Sequence, residues 1–229
     1  MALLGKGMLV TFTEVAPEDE LEFNEWYDRE HVDERVFMPG FKRARRYLAA
    51  DGATAVKYFA TYETESAQDL CAPDYMKVLA NQSDWSKKVM GRFTHFDRLT
   101  VTATVDMTHG FSGAAGLARL FPKPEAKDAL RVALKDKLLP EILKRNGVHG
   151  ACVLENDLDV SNVGLKAQGK SIPADQQQEW LVLIDTATPE QGRAAVEALF
   201  GGDRLSDAFG VLTIDVNRGA YSFTFGNQR

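Results

Sequence analysis

The chain has 229 residues, of which 45% are hydrophobic and 26% are charged, as in an ordinary soluble globular protein. Its formal net charge of −6 argues against a nucleic-acid-binding surface, because such surfaces carry an excess of Lys and Arg. No stretch approaches the ~20 consecutive apolar residues of a membrane-spanning helix, and the N-terminus lacks the apolar core of a signal peptide. The two cysteines, Cys71 and Cys152, predict neither a disulfide framework nor a zinc site, which favours a reducing cytoplasm.

Residues 1–110 predict an alternation of strands and helices. The predicted elements are strand 7–13, helix 17–36, strand 41–48, strand 56–64, helix 66–81 and strand 93–107. Pro17 and the acidic residues after it favour a helix start, and Pro39-Gly40 ends that helix. Asp51-Gly52 is typical of the turn between two paired strands, and Trp85 is placed in a loop. The order βαββαβ is that of a ferredoxin-like unit.

The same order returns in residues 111–229. The predicted elements are strand 115–121, helix 124–145 with a kink at Pro140, strand 148–156, strand 179–186, helix 189–200, and a strand pair or one bent strand over 211–225. The segment at residue 40 matches that at 147 with an offset of 107, and the strand at 58 matches that at 180 with an offset of 122. The difference places a 15-residue insertion in the polar loop 161–178. We therefore predict an internal duplication with domains 1–110 and 111–229.

The first predicted helix carries a candidate catalytic histidine. Asn24, Tyr27 and His31 follow the spacing i, i+3, i+7, which places them on one stripe of a helix. Leu21 and Val32 predict an adjacent apolar stripe, so His31 should lie at the border of a buried face. An imidazole there can titrate near neutrality and act as an acid or base, although the same pattern is typical of a structural histidine.

The second copy lacks the polar side chains of Asn24, Tyr27 and His31. At the offset of 107, the second half has Arg131, Leu134 and Leu138 where the first has Asn24, Tyr27 and His31. The second copy therefore keeps an apolar helix and loses the polar side chains together. This indicates that the first half carries a site and the second half serves as scaffold.

A short basic run, Lys42-Arg43-Ala44-Arg45-Arg46, opens the second predicted strand. Alternation along a strand places Arg43 and Arg45 on one face and Lys42 and Arg46 on the other. Because Lys and Arg are rarely buried, we predict that most of these charges are solvated or lie at a rim.

The segment 23–35, followed by Pro39-Gly40-Phe41 and the strand Arg45-Arg46-Tyr47, resembles the dimeric α+β barrel superfamily, and in particular its EthD-type members. The match covers residues 20–65. The resemblance implies an α+β fold in which two ferredoxin-like units form one barrel, with a pocket between each sheet and its helices. It also implies that His31 lines such a pocket. Whether the barrel closes within one chain or in a homodimer stays open.

Relatives in that superfamily include muconolactone isomerases, polyketide cyclases, cofactor-free monooxygenases and haem proteins. We therefore expect a cofactor-free enzyme, of isomerase, cyclase or lyase type, acting on a small aromatic or cyclic metabolite. His31 would be the general acid or base, and Tyr27 or Asn24 would orient it or bind a substrate oxygen. The expected ring and rim contacts to the substrate are Trp26, Tyr47, Tyr58, Tyr62, Trp85 and His95.

Two alternatives remain at this point. The first is a small-molecule-binding protein without turnover. The second is a haem protein or monooxygenase, with an axial ligand among His31, His95, His109 and His149. A non-haem metal site is not expected, because the spacings Asp28-x-x-His31 and His31-x-x-Glu34 lack a third ligand.

Overall fold

The computed structural model describes residues 3–110, 112–167, 171–172, 176, 178–202, 211–214 and 218–229. The strands in this part of the chain are β1 Gly7–Val15, β2 Phe41–Ala49, β3 Tyr58–Thr64, β4 Phe93–Asp106, β5 Ala114–Pro122, β6 Val148–Asn156, β7 Trp180–Thr186, β8 Val211–Ile214 and β9 Gly219–Gln228. The α-helices are α1 Glu20–Trp26, α2 Val32–Val36, α3 Pro73–Ala80, α4 Asp84–Met90, α5 Lys127–Ala133, α6 Leu139–Ile142, α7 Leu158–Ala167 and α8 Pro189–Phe200. None of these helices is both long and apolar enough to cross a lipid bilayer.

Eight of the strands form a closed antiparallel barrel within this one chain. Its order is β4-β1-β3-β2 from the first half (residues 1–110), then β9-β5-β7-β6 from the second half (residues 111–229), and β6 pairs with β4 to close the ring. Each half shows the strand order of a ferredoxin-like unit. The remaining short strand, β8, adds to β5 beside β9. The end of the chain therefore follows one edge of β5 in two successive segments, β8 and then β9, which do not pair with each other in the described part of the chain.

The two halves repeat with the spacing that the sequence indicates. β1 and β5 begin 107 residues apart, as do β2 and β6, whereas β3 and β7 begin 122 residues apart. Gly40 and Gly147 both have positive φ angles, 83° and 77°, at the turn before β2 and β6. A left-handed turn residue is favourable for glycine, which explains why both copies have it there.

The insertion between β6 and β7 contains a helix that the sequence prediction missed. Residues 161–167, predicted as part of a polar loop, belong to α7. The carboxylate of Asp157 accepts the Val160 N–H at 3.0 Å near the start of this helix. Val160 packs into the apolar core of the first half. The insertion of the second half thus covers part of the first, which a local propensity argument cannot show.

The interior of the barrel is one apolar core to which both halves contribute. Its fully buried members include Phe12 and Phe59 from the first half and Leu117, Leu181 and Tyr221 from the second. Two further cores lie outside the barrel, each between one half's sheet and its helices. The layered arrangement follows from the strand alternation, because each strand has one face toward the barrel interior and one toward helices.

Three of the four charges of the basic run on β2 are buried, which contradicts the prediction that most of them are solvated. Arg43, Arg45 and Arg46 are 2%, 3% and 4% exposed, although they do alternate in direction. Arg43 and Arg45 face the barrel interior, where Glu63 on β3 pairs with both and Asp185 on β7 pairs with Arg45. Buried cations of this kind persist because carboxylates from other strands compensate their charge.

The first helix region is divided by a π turn, Tyr27–His31, between α1 and α2. A π turn of the same length, Leu134–Leu138, lies 107 residues later between α5 and α6, before the kink predicted at Pro140. The wider turn changes the direction of every side chain after it, so helical spacing across it fails. Leu21, predicted on the apolar stripe, is in fact 77% exposed, whereas Val32 is buried.

Trp85 lies on α4 and not in a loop. The Ser83 hydroxyl accepts the Ser86 N–H at 2.9 Å and caps this helix at its N-terminus. The helix covers α1, and the Trp85 indole N–H donates to Glu22 at 3.2 Å.

Candidate functional site

A cavity of about 390 Å³ lies between the first half's sheet and the helices that cover it. Its wall combines a majority of aromatic and apolar side chains with a few polar ones: Leu9, Thr11, Trp26, Tyr27, His31, Arg35, Tyr62, Tyr75, Leu79, Gln82, Met90, Phe93, Phe96 and Arg98. The volume and the composition are typical of a site for a small organic ligand. Four of the predicted site residues meet here: Trp26 of α1, Tyr27 and His31 of the π turn, and Tyr62 of β3.

Aromatic rings surround the imidazole of His31. The Trp26 ring centroid lies 4.2 Å from that of the imidazole with an interplanar angle of 32°. The ring centroids of Tyr27 and Tyr62 lie 5.2 Å and 6.1 Å from it in edge-to-face arrangements. The Trp26 indole is itself fixed, because its N–H donates to the Ser86 hydroxyl at 3.0 Å. The ring of His31 therefore has one orientation, set by packing.

Three polar atoms around the cavity are buried and have no hydrogen-bond partner among the described residues. They are Nδ1 of His31, Oγ1 of Thr11 and the hydroxyl oxygen of Tyr62, which lies close to the Tyr27 hydroxyl but outside hydrogen-bond geometry. A buried polar group without a partner costs about 1–3 kcal/mol. A protein that keeps three of them around one hollow gains free energy when a ligand with matching polar atoms enters.

The same environment sets the charge state of these groups. Burial lowers the pKa of His31 well below its usual value near 6.5, and the positive charges of Arg35 and Arg46 lower it further. Burial raises the pKa of Tyr62 well above its usual value, and the neighbouring Tyr27 contributes to the rise. At neutral pH the site therefore presents a neutral imidazole and a neutral phenol.

The low pKa of His31 predicts a pH dependence of stability. Between the folded-state pKa and the unfolded-state pKa near 6.5, the unfolded chain binds a proton that the folded chain excludes. The free energy of unfolding should therefore fall as the pH drops below 6.5, by up to about 1.4 kcal/mol per pH unit. Urea denaturation at pH 7.5 and pH 5.5 measures this fall.

Two variants provide the comparison for this measurement. In His31→Gln, the free energy of unfolding should decrease less between pH 7.5 and pH 5.5 than in wild type, because the contribution of the histidine is removed. His109→Gln changes an exposed histidine and should show the same decrease as wild type. Equal falls in wild type and His31→Gln would show that the imidazole is not held neutral.

Asn24 lies behind the cavity wall and supports it. The Arg46 guanidinium carbon is 4.1 Å from the Tyr27 ring centroid, and Arg46 Nη2 donates to Asn24 Oδ1 at 2.7 Å. Arg46 also pairs with Asp28, and the Asn24 amide donates to the Tyr58 hydroxyl at 3.2 Å. Asn24 thus holds the guanidinium that stacks on Tyr27, and it acts on the site through Tyr27.

The other predicted contact residues lie away from the cavity wall. Tyr58 packs against Phe23 at 4.7 Å, and Tyr47 lies inside the barrel on the opposite face of the sheet, 5.1 Å from Phe59. Trp85 packs between α4 and α1, where it donates to Glu22, and His95 is exposed on β4. The structure therefore brings together four of the nine predicted residues, namely Trp26, Tyr27, His31 and Tyr62.

Several wall residues were not predicted, although some had a signal in the sequence. Thr11 alternates with Val10 and Phe12 on β1, which places it on the helix-facing side, and Arg35 follows His31 by four residues. Arg98 and Tyr75 come from distant segments, and no local pattern connects either of them with His31.

The equivalent region of the second half is filled by apolar side chains. At the offsets of 107 and 122, Thr11, His31 and Tyr62 correspond to Ala118, Leu138 and Ile184. Ala118 and Ile184 are buried members of one apolar core, and Leu138 packs against it. The three cavity-lining residues with unpartnered polar atoms, Thr11, His31 and Tyr62, therefore have apolar equivalents in the second half.

Comparison of whole structures shows which fold this is. The chain superposes on an anthrone oxidase-like protein with a TM-score of 0.67 at 13% identity, covering 100% of this chain and 95% of that one. The chain has the dimeric α+β barrel fold. A candidate monooxygenase from Lactobacillus acidophilus matches this barrel with a TM-score of 0.61, at 11% identity and with 97% and 96% of the two chains covered. A mutant chlorite dismutase from Candidatus Nitrospira defluvii gives 0.55, at 9% identity with 96% and 90% covered.

These likenesses establish the dimeric α+β barrel and leave its chemistry open, because one fold supports many reactions. No family model and no curated protein sequence matches the chain. The barrel is named for folds in which two ferredoxin-like units combine, and here both units belong to a single chain.

The described residues do not fit a haem. A metal-ligating histidine almost always donates its second ring nitrogen to an acceptor, and Nδ1 of His31 is buried without one. The cavity of about 390 Å³ is at the small end of the range for drug-sized ligands, and a haem is larger than these. His95, His109 and His149 are exposed. No cluster of three or more metal-ligating His, Cys, Asp or Glu side chains occurs in the described part of the chain.

Proposed function

We propose that this protein is a cofactor-free enzyme in which His31 transfers a proton on a small aromatic or cyclic metabolite. The reaction would be an isomerisation, a cyclisation or an elimination by a lyase, of the kind that begins with removal of a proton from carbon or oxygen. Kinship with EthD-type barrels, based on residues 23–41, is part of the same proposal. So is a reducing cytoplasm, based on the unpaired Cys71 and Cys152.

One observation supports this proposal most strongly. The duplicated half keeps the backbone of the site, including the π turn, and replaces Thr11, His31 and Tyr62 together by apolar residues. Where no ligand needs polar partners, the fold fills the same space with Ala, Leu and Ile. The unpartnered polar groups of the first half therefore cost stability that the fold itself does not require, which is the expected sign of a functional site.

The geometry supports a base and a neutral hydrogen-bond donor. The His31 ring is half-buried with Nδ1 enclosed, so Nε2 is the nitrogen available to a ligand, and the ring is neutral at neutral pH. A bound substrate that donates to Nε2 would select the tautomer with the proton on Nδ1. Nε2 can then accept a proton from an acidic C–H or O–H of a bound substrate. The Tyr62 and Thr11 hydroxyls can donate to the oxygen on which negative charge then develops. A substrate that fills the ring-lined cavity would displace water from it, which would strengthen these interactions.

Hydrogen–deuterium exchange tests the proton transfer without knowledge of the natural reaction. Anthrone and 2-tetralone are aromatic ketones with an acidic C–H bond, and each can be incubated with the protein in D2O and followed by mass spectrometry. We expect wild-type protein to accelerate exchange, because His31 removes the proton and solvent deuterium replaces it. His31→Gln should reduce the acceleration by about 10²–10⁴-fold, the usual contribution of a general base.

His109→Gln is the matched control, since His109 is exposed and outside the cavity wall. It should exchange at the wild-type rate. Exchange by His31→Gln at the wild-type rate, or no acceleration by wild type with either ketone, would contradict the proposal. Oxygen uptake recorded in parallel tests a cofactor-free oxygenation, which the names of two similar structures suggest.

A small-molecule-binding protein without turnover is the second candidate. The supporting observation is that Nδ1 of His31 has no carboxylate or carbonyl acceptor among the described residues, whereas catalytic histidines are usually oriented by one. Native mass spectrometry of protein purified from cells distinguishes the two candidates. A retained metabolite that is recovered chemically unchanged after prolonged incubation supports binding alone.

A further inference from the structure

Two guanidinium groups form one end of the cavity wall. Arg35 comes from α2 and Arg98 from β4, and both line the cavity. Their guanidinium carbons lie 5.8 Å and 6.0 Å from the centroid of the Tyr75 ring. The two charges therefore belong to the same end of the hollow, although they are 63 residues apart in sequence.

The partners of Arg98 differ from those of the buried arginines. Each buried arginine has a carboxylate within ion-pair distance, in the pairs Arg35–Glu34, Arg43–Glu63, Arg45–Asp185, Arg46–Asp28 and Arg119–Glu179. Arg98, which is half-buried, reaches the hydroxyls of Thr100 and Tyr75 at 3.5 Å and 3.4 Å. Within the described residues it has no carboxylate partner.

The surroundings of Arg98 increase the cost of this arrangement. Phe93, Phe96 and Met90 line the same cavity without charge, so the two long contacts to hydroxyls are the interactions that the described side chains offer this cation. Arg35 adds a second cation whose single ion-pair partner is Glu34 at 2.7 Å. In a chain with a net charge of −6, this cavity end is locally positive. Such a position is favourable for an anion, which can form charge-assisted hydrogen bonds with guanidinium groups.

We propose that the ligand of this cavity is an aromatic or cyclic carboxylic acid, whose carboxylate binds Arg98 and Arg35 while its ring lies among the aromatic side chains. This inference rests on the proposed function, because it names the substrate class of the same site. Arg98 is the principal anion-binding residue, since it has no other charge partner among the described residues. Arg35 remains shared with Glu34.

A matched pair of ligands tests the charge on wild-type protein. 2-Naphthoate and 2-naphthamide have the same ring and nearly the same shape, and differ by the negative charge. We expect isothermal titration calorimetry to show that naphthoate binds about 10–100-fold more tightly, which corresponds to one charge-assisted hydrogen-bonded pair. Equal affinities for the two compounds would overturn the proposal, whatever the behaviour of any variant.

Variants of the arginine locate the effect. Arg98→Gln should lose most of the preference for naphthoate and leave the affinity for naphthamide nearly unchanged, which also shows that the variant is folded. Arg98→Lys should keep part of the preference, because it retains the charge and loses the planar donor geometry. Arg29→Gln removes an exposed arginine outside the cavity wall and should bind as wild type does. An undiminished preference in Arg98→Gln would overturn the assignment.

The outcomes separate this inference from the proposed function. Naphthoate binding through Arg98, together with no ketone exchange in D2O, would support the anion site and contradict the proton transfer by His31. Exchange that depends on His31, together with equal binding of acid and amide, would support the enzyme and overturn the carboxylate inference.

Discussion

Glu63→Gln is expected to lower the free energy of unfolding by about 3–5 kcal/mol, the usual cost of removing one partner from a buried ion pair. Glu63 is 1% exposed on β3, and its carboxylate accepts Arg43 Nε–H at 2.8 Å and Nη2–H at 2.9 Å. It also lies 3.4 Å from Arg45. The amide of glutamine has nearly the same size but no charge, so two buried guanidinium groups would share the remaining carboxylate of Asp185.

Chemical denaturation followed by circular dichroism measures this loss. Glu25→Gln is the matched control, because the Glu25 side chain is 45% exposed and pairs with Arg29 at 3.5 Å on the helix surface. Exposed pairs of this kind contribute about 0–1 kcal/mol, so the control should stay close to wild type. A loss below 1 kcal/mol in Glu63→Gln would mean that water reaches the barrel interior and solvates the arginines.

Phe59→Ala should destabilise the protein by about 3–5 kcal/mol through the cavity that it leaves in the barrel. The Phe59 ring packs against Phe12 at 5.4 Å, Tyr47 at 5.1 Å and Tyr221 at 5.3 Å. Tyr221 belongs to β9 of the second half, so the ring connects both halves. We therefore expect one cooperative unfolding transition at a lower denaturant concentration.

Phe37→Ala removes the same side chain from a position that is 60% exposed and should change the free energy of unfolding by less than about 0.5 kcal/mol. Two separate transitions in Phe59→Ala would show that the halves are independent units. They would contradict the view that one shared interior stabilises the chain.

The strands were predictable because their alternation is local. Each predicted strand of the barrel has a counterpart in the structure, and the offset of 107 between the halves recurs in the bounds of β1 and β5 and of β2 and β6. β2 and β3 pair as predicted, but residues 50–57 connect them, and Gly52 lacks the positive φ of a two-residue Asp-Gly turn. The resemblance of residues 20–65 to the dimeric α+β barrel superfamily also predicted that the two units form one barrel.

Other features could not be predicted, because distant residues determine them. The buried charges on β2 depend on Glu63 and Asp185, of which one lies on a neighbouring strand and the other across the barrel. α7 forms where sequence composition suggested a loop, and Val160 stabilises it by packing on the other half. The π turns have no composition signal, because Tyr27–His31 and Leu134–Leu138 share no residue type at equivalent positions.

The candidate site was predicted in part for the same reason. His31, Tyr27 and Trp26 are close in sequence, and one helix pattern sufficed to group them. Tyr47 was assigned to the pocket by its residue type, but its strand face directs it into the barrel, beside Arg45. The guanidinium of Arg98 reaches the cavity from β4, which only the three-dimensional arrangement reveals.

Closure of the barrel within one chain has an evolutionary consequence. When two identical subunits build such a barrel, every substitution occurs twice, so a polar group introduced into one hollow also enters the other. Covalent fusion removes this symmetry. One hollow can acquire polar groups that reduce stability, such as those of His31 and Tyr62, while its twin accumulates leucine and isoleucine that restore it. Dilution cannot dissociate the two halves, because one chain contains both. The stabilising half is therefore present wherever the site is.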